Sequence, residues 1–183
     1  IRTPMNGILG FADLLKQPNL SGEKQQKYVD IIQKSGVRML NIINDIVDIS
    51  KIEAGLMQVD IKDSNINEQI DFIYTFFKPE VENKGIQFVI KKSLLTTEAI
   101  VKTDREKLYA ILTNLIKNAI KFTNEGSIEF GYHLIKNQEA ANLEFYVKDT
   151  GIGIPANKQS VIFERFIQAD ISNLMVLQGT GLG

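Results

Sequence analysis

The chain contains no cysteine. Disulfides and thiol chemistry are therefore excluded, and the absence fits a reducing compartment. Histidine occurs once, at His133, which excludes a metal site built on imidazoles. Neither sign of charge is in excess: 21 Lys and Arg against 22 Asp and Glu give a net charge of −1. Bulk electrostatics thus offer no nucleic-acid or membrane surface. No apolar run approaches the ~18–20 residues that span a bilayer, and no signal peptide is visible. What remains is 44% hydrophobic and 23% charged, an ordinary globular composition. The 183 residues suffice for one core, or for a small helical module plus one compact domain. Without an initiator Met, and with Gly179–Gly183 ending on a glycine loop, the sequence reads as an excised piece of a longer protein.

Residues 1–17 place Ile1, Met5, Ile8, Ala12 and Leu15 at helical spacing, with Leu9 and Phe11 widening the stripe. Pro18–Gly22 interrupts it, and Ser21 is a candidate cap for a second helix running from Gly22 to Ala54. That helix carries Val29, Ile32, Gly36, Met39, Ile43, Ile46 and Ser50 on one face, flanked by Leu40, Val47 and Ile52. Two helices joined by a short turn form an antiparallel hairpin. Alone it cannot enclose both stripes, so a second copy completing a four-helix bundle is one solution, and packing on the rest of the chain is the other. Ala54-Gly55 is the expected boundary, giving domains 1–54 and 55–183. Beyond it the pattern becomes α/β: a strand over Met57–Ile61, a helix over Asn65–Lys84, and strands at Ile86–Ile90 and Ile100–Lys102. An amphipathic helix over Asp104–Phe122 is expected to bury Ile111, Leu112, Leu115, Ile116 and Ala119. Strands at Ser127–Ile135 and Asn142–Asp149 are expected to pair. Pro155–Phe166 reads as a helix opening on proline, and Gln168–Gln178 as a mobile loop.

Three segments carry chemistry. On the helix over Asp104–Phe122, Asn114, Asn118 and Lys121 share a face. They form either a solvated polar stripe or a site in which Asn118 gives its amide oxygen to Mg²⁺ and Lys121 meets phosphates. Asp149-Thr150-Gly151-Ile152-Gly153-Ile154 follows a strand. Its glycines let the main chain approach a ligand closely, and a carboxylate at Asp149 would accept from the amine of adenine, where guanine presents a carbonyl. Gly179-Thr180-Gly181-Leu182-Gly183 has the composition of a phosphate cradle or of a linker. It is neither a Walker loop nor a dinucleotide fingerprint.

In combination and order, these segments resemble the N box and the two glycine boxes of sensor histidine kinases. Phe163-Glu164-Arg165-Phe166 is similar to that family's phenylalanine box, and Ile1-Arg2-Thr3-Pro4-Met5-Asn6-Gly7-Ile8 to the segment right after its phosphoacceptor histidine, in wording most like the hybrid subgroup. The resemblance implies an α+β architecture: half of a dimeric four-helix bundle, then an α/β sandwich of the histidine kinase, gyrase and Hsp90 type. It implies ATP and Mg²⁺ as cofactors and a homodimer through residues 1–54. The γ-phosphoryl group would pass to a hairpin histidine and then to an aspartate of a receiver domain. Asn118 matches the magnesium ligand, Asn114 a second polar contact, Lys121 the phosphate-contacting lysine and Asp149 the adenine-reading aspartate. Gly151 and Gly153 would shape the adenine pocket, with Phe122, Ile154, Phe163 and Phe166 around it, while Gly179, Thr180, Gly181, Leu182 and Gly183 form the lid hinge. Thr3 matches the position associated with dephosphorylating the receiver. A cytoplasmic location is implied, with any inner-membrane anchor outside this sequence.

Two departures stand out. The family's histidine and a neighbouring acidic residue would directly precede Ile1, and His133 cannot replace the histidine from a strand of the other domain. The lid over Ala169–Gln178 holds no Lys or Arg, so charge on the transferring group would be met elsewhere. The related ATPases place a general-base glutamate four residues before the magnesium asparagine. Here that residue is Asn114, which cannot take a proton, and this favours transfer over hydrolysis. A degenerate dimerising module that binds nucleotide without phosphotransfer is the alternative of a different class.

Overall fold

The computed structural model describes residues 1–136, 141–160 and 162. Residues Ile1–Met57 belong to one compact unit and Gln58–Val161 to another.

The first unit is a hairpin of α1 (Arg2–Leu15) and α2 (Gly22–Glu53). The turn between them reverses at Asn19, whose φ of 64° is the left-handed region that asparagine tolerates. Ser21 Oγ then accepts the Lys24 N–H at 3.4 Å and caps α2. The helices approach closely at Gly7, where a Cβ would lie 2.9 Å from Ser35 Oγ, and Phe11 meets Tyr28 with ring centroids 5.4 Å apart. Gly55, at φ 66°, ends α2. Leu56 N–H reaches Lys51 O at 2.8 Å and Gly55 N–H reaches Ile52 O at 3.0 Å, a Schellman closure. Within the hairpin only Pro4 and Ile42 are buried. The expected stripe residue Ile43 is exposed, as are Met5, Leu9, Leu40, Ile46 and Val47. The apolar surface of α2 is therefore wider than one partner helix can cover.

The second unit runs β1 (Lys62–Asn65), α3 (Ile66–Asn83), β2 (Gln87–Lys92), β3 (Ile100–Thr103), α4 (Arg105–Phe122), β4 (Ser127–Lys136) and β5 (Ala141–Asp149). β2 and β4 are parallel, β4 and β5 antiparallel, and β1 pairs antiparallel with β3 as a separate ribbon. Period-two patterning sends Ile128, Phe130 and Tyr132 of β4 to the core. There they meet Ile66, Ile70, Ile73, Phe77 and Val81 from α3 and Leu112, Ile116, Ala119 and Ile120 from α4, each set at helical spacing. The result is a helical layer on a mixed sheet. On the strand positions facing the other way, His133 stacks on Tyr146 at 4.6 Å and the Tyr146 hydroxyl donates to Glu129 at 3.0 Å. One polar link crosses the core: the Tyr132 hydroxyl donates to Asn67 Oδ1 at 2.6 Å, which satisfies a phenol whose pKa burial raises.

Two expected elements need correction. Met57–Ile61 is not a strand. The ribbon begins at Lys62, because its partner Ile100–Thr103 pairs with Lys62–Asn65 and leaves Val59 and Ile61 exposed. The helix expected from Pro155 is, within the described residues, one 3₁₀ turn over Ala156–Lys158. Pro155 stands before it with ψ 139°, an extended value that a first helical residue would not have.

Candidate functional site

Helix α4 is anchored at both ends by side chains. At its start Asp104 caps it: Oδ1 accepts the Lys107 N–H at 3.0 Å, while Oδ2 accepts the Asp60 N–H at 3.0 Å. Those two main-chain donors, Lys107 first, hold the Asp104 carboxyl below its ordinary 3.8. At its end the Lys84 ammonium donates to Ile120 O at 2.5 Å and to Thr123 O at 3.2 Å. These are carbonyls that the helix geometry leaves without partners, and the helix dipole favours a cation there.

Between these anchors α4 divides into two faces. Leu112, Thr113, Ile116, Ala119 and Ile120 are buried. Ile111 and Leu115, expected inside, are exposed (59% and 44%) and stand on the same side as Asn114 and Asn118. The sheet and α3 together cover only one side of the helix, so its apolar stripe wraps beyond what they reach. The two asparagines are exposed, and neither carboxamide hydrogen-bonds to another described residue. Lys121 is half-buried, with Nζ 4.8 Å from the centroid of the Phe122 ring.

The loop after β5 is fastened to the end of α4 largely through main chain. The Ile152 N–H donates to Phe122 O at 3.3 Å, and the Gly151 N–H to Asp149 Oδ1 at 2.9 Å. A Cβ on Gly151 would lie 2.8 Å from that carboxylate oxygen and 2.9 Å from the Phe122 carbonyl carbon, closer still to its oxygen. Glycine is needed here for space. Gly153, at φ 68°, needs it for conformation, and no described atom lies within 4 Å of its missing Cβ. Thr150 fixes the other side: Oγ1 accepts the Ser127 N–H at 2.9 Å and can donate to Glu125 O at 3.3 Å. Gly126, at φ 103°, leaves the room that this hydroxyl occupies.

The structure brings Lys121, Phe122, Asp149, Gly151, Gly153 and Ile154 to the end of α4 and the loop after β5, while Asn118 lies one turn and Asn114 two turns before that end on the exposed face of the helix. Thr3 belongs to the other unit, exposed in the first turn of α1. Phe163, Phe166, Gly179, Thr180, Gly181, Leu182, Gly183 and the lid stretch Ala169–Gln178 lie outside the described residues. Sequence reasoning missed Lys84, Thr150 and the exposed apolar walls Ile111, Leu115 and Ile152. An apolar residue one turn before each asparagine was the available signal for Ile111 and Leu115.

Exposed apolar side chains, a carboxylate oxygen of Asp149 and two exposed carboxamides are thus carried by α4 and the loop after β5. Groups of these kinds can meet a flat, amine-bearing heterocycle joined to an anionic chain. Among the described residues no group of three or more His, Cys, Asp or Glu could hold a metal ion. A magnesium ion sharing one protein amide oxygen with phosphates and waters needs no such group, so the unpartnered carboxamides are compatible with one.

Comparisons with known proteins identify both parts of the chain. Residues 1–55 match the His Kinase A (phospho-acceptor) domain, and residues 103–183 match the histidine kinase-, DNA gyrase B- and HSP90-like ATPases. The autoinducer 2 sensor kinase/phosphatase LuxQ of Vibrio cholerae is 39% identical over 183 residues, all of this chain but 21% of LuxQ. Full-length ShkA, crystallised with AMPPNP, has a TM-score of 0.72 at 28% identity over 99% of this chain and 36% of that one. ThkA, crystallised with the response regulator protein TrrA, has a TM-score of 0.67 at 24% identity over 91% of this chain and 47% of that one, and shares the fold. The chain belongs to the sensor histidine kinases, of which it carries the phospho-acceptor-domain hairpin followed by the ATPase-type α/β domain.

Proposed function

We propose that the chain is the kinase core of a two-component sensor, with the domain after Ala54 binding Mg²⁺–ATP between α4 and the β5 loop. The carrying observation is the Ile152–Phe122 main-chain tie, which holds Asp149 beside the helical turn bearing Asn118 and Lys121. When bound, the nucleotide supplies the phosphoryl group. Asp149 accepts from the adenine amine, and Ile152 and Ile154 exclude water from the ring faces. Asn118, supported by Asn114, offers amide oxygen to the metal, and Lys121 offers positive charge to the phosphates. The acceptor is a histidine directly before Ile1, held on the hairpin with an adjacent acid to manage its proton. His133 is outside this role, stacked on Tyr146 in β4.

The partners follow from the hairpin. Its exposed Met5, Leu9, Leu40, Ile43, Ile46 and Val47 support a second copy completing a four-helix bundle. A receiver domain is the next phosphoryl acceptor, a reading supported by the likeness to ThkA crystallised with its response regulator, and Thr3 is assigned the reverse, dephosphorylating role on the family resemblance of residues 1–8. No helix among the described residues is long and apolar enough to cross a membrane, and a cytoplasmic location fits this. Asn114, where an ATPase would need a base, favours transfer over hydrolysis.

The test is ATP titration calorimetry with and without Mg²⁺, followed by radiolabelling of a chain that carries its natural residues before Ile1. Magnesium-dependent binding, lost in Asn118→Ala, and acid-labile label on the lengthened chain alone are expected. Binding without label on the lengthened chain would favour the degenerate module. Label on the 183-residue chain would assign the acceptor to His133 and refute the domain roles.

A further inference from the structure

Lys84 belongs to neither the phosphate-binding set nor the core, yet its side chain is committed to α4. It closes α3 as the residue before Gly85, whose φ is 74°. Gly85 N–H bonds Glu82 O at 2.9 Å and Ile86 N–H bonds Val81 O at 3.2 Å, so its backbone is fixed by a Schellman closure. From that fixed base the ammonium crosses to α4 and donates to Ile120 O and Thr123 O. Ile120 is next to Lys121, two residues beyond Asn118, and Thr123 follows Phe122, whose carbonyl holds the Ile152 N–H at 3.3 Å. The Gln87 N–H adds a bond to Gly126 O at 2.9 Å, so the α3–β2 turn grips the α4–β4 connection at two points. Thr123 is fully buried, and its Oγ1 has no hydrogen-bond partner. The side chain of Thr123 therefore gives this turn no hydrogen bond; the Thr123 N–H, donating to Ala119 O at 3.0 Å, and the Lys84 ammonium do.

We propose that Lys84 is a positioning residue for the nucleotide site: it sets the last turn of α4, and through the Phe122 carbonyl the height of the Asp149–Ile154 loop. The role rests on the nucleotide reading above. Lys84 touches neither nucleotide nor metal; it acts through Asn118, Lys121 and the loop. Only a donor of suitable reach serves, because two carbonyls must be satisfied from across the helix pair. Arginine meets that requirement, and an isosteric apolar chain does not.

The experiment compares the 183-residue chain with Lys84→Met, Lys84→Arg and Ile70→Val, the last a buried α3 change remote from this turn. Mg²⁺–ATP affinity is measured by calorimetry well below each melting temperature, and amide hydrogen exchange at Thr123 and Ile152 is followed in the nucleotide-free protein. Lys84→Met is expected to weaken ATP binding about fivefold to tenfold and to speed exchange at both amides, with Lys84→Arg restoring most of each. Ile70→Val is expected to lower the melting temperature with affinity and exchange at those amides unchanged. Wild-type affinity in Lys84→Met, whatever its melting temperature, would overturn the positioning role and leave the nucleotide site standing. Equal losses in Lys84→Met and Ile70→Val would reduce Lys84 to a stability residue. An unmutated chain that fails to bind ATP would sink the nucleotide reading itself, and the role of Lys84 with it.

Discussion

Replacing Gly151 with alanine tests whether the site is set by contact between the β5 loop and the end of α4. The new methyl would sit 2.8 Å from Asp149 Oδ1 and 2.9 Å from the Phe122 carbonyl carbon, where relaxed separations are about 3.5–4 Å. Relief requires the loop to withdraw by on the order of 1 Å. That stretches the Ile152–Phe122 bond, already 3.3 Å, past useful length, and it tilts the Gly151 N–H away from Asp149. A neutral hydrogen bond is worth about 0.5–1.5 kcal/mol and one to a charged group about 1.5–3 kcal/mol. The Gly151–Asp149 bond is solvent-exposed, so water recovers part of it, and the net loss is about 1–3 kcal/mol. The nucleotide-free domain can relax outward, but the bound state needs the loop in place, so affinity suffers more than stability. Calorimetric titration with Mg²⁺–ATP should therefore show affinity falling roughly fivefold to 150-fold, alongside a smaller drop in melting temperature. Gly153→Ala is the comparison, because it carries left-handed strain of about 1–2 kcal/mol without a collision. Undiminished affinity in Gly151→Ala would refute the reasoning.

Asp149→Asn replaces a charged acceptor with an amide and should weaken ATP binding about tenfold to 100-fold; equal calorimetric affinities would remove Asp149 from the adenine site. The depressed Asp104 carboxyl stabilises the fold at pH values above its unfolded pKa and loses that contribution as pH falls through the folded value. The melting-temperature gap between the native chain and Asp104→Asn should accordingly be widest near neutrality and close below about pH 3.8; a gap independent of pH would count against the two main-chain bonds. Ile43→Glu puts a charge on the exposed apolar face of α2 and should raise the dimer dissociation constant at least about tenfold by analytical ultracentrifugation. Unchanged self-association would place the interface elsewhere.

Much of the fold was legible because local and long-range signals coincided. Ser21 caps the helix that follows it, as its place before a periodic apolar run suggests, and Asn65 and Asp104, expected as the first residues of their helices, cap them. β4 and β5 alternate with the period of a sheet packed on one face and pair as neighbours. The misses share a cause. Met57–Ile61 alternates as a strand does, but whether an alternating segment pairs depends on a partner some forty residues away, and Ile100–Thr103 reaches only Lys62–Asn65. Ile111 and Leu115 carry the apolar signal of a core, but the sheet and α3 cover only one side of α4 and leave both exposed. Asn114, Asn118 and Asp149 stood out as candidates because their residue types are unusual for their places. Lys84 did not, because a lysine at a helix end is the default solvated residue, and only tertiary geometry shows what its ammonium meets.

The tie between Ile152 and Phe122 is made by main-chain atoms alone. What holds the loop at its height is thus indifferent to which side chains stand at positions 122 and 152, whereas position 151 admits hydrogen only. The proposed nucleotide site divides into a frame written in backbone and a lining written in side chains, and the two can change independently. Larger or smaller groups at Ile152 or Ile154 would reshape the lining while the frame stays put. On the nucleotide reading, a protein engineer seeking a kinase core that takes an enlarged base analogue would recut those two residues and leave Gly151 and Thr150 untouched.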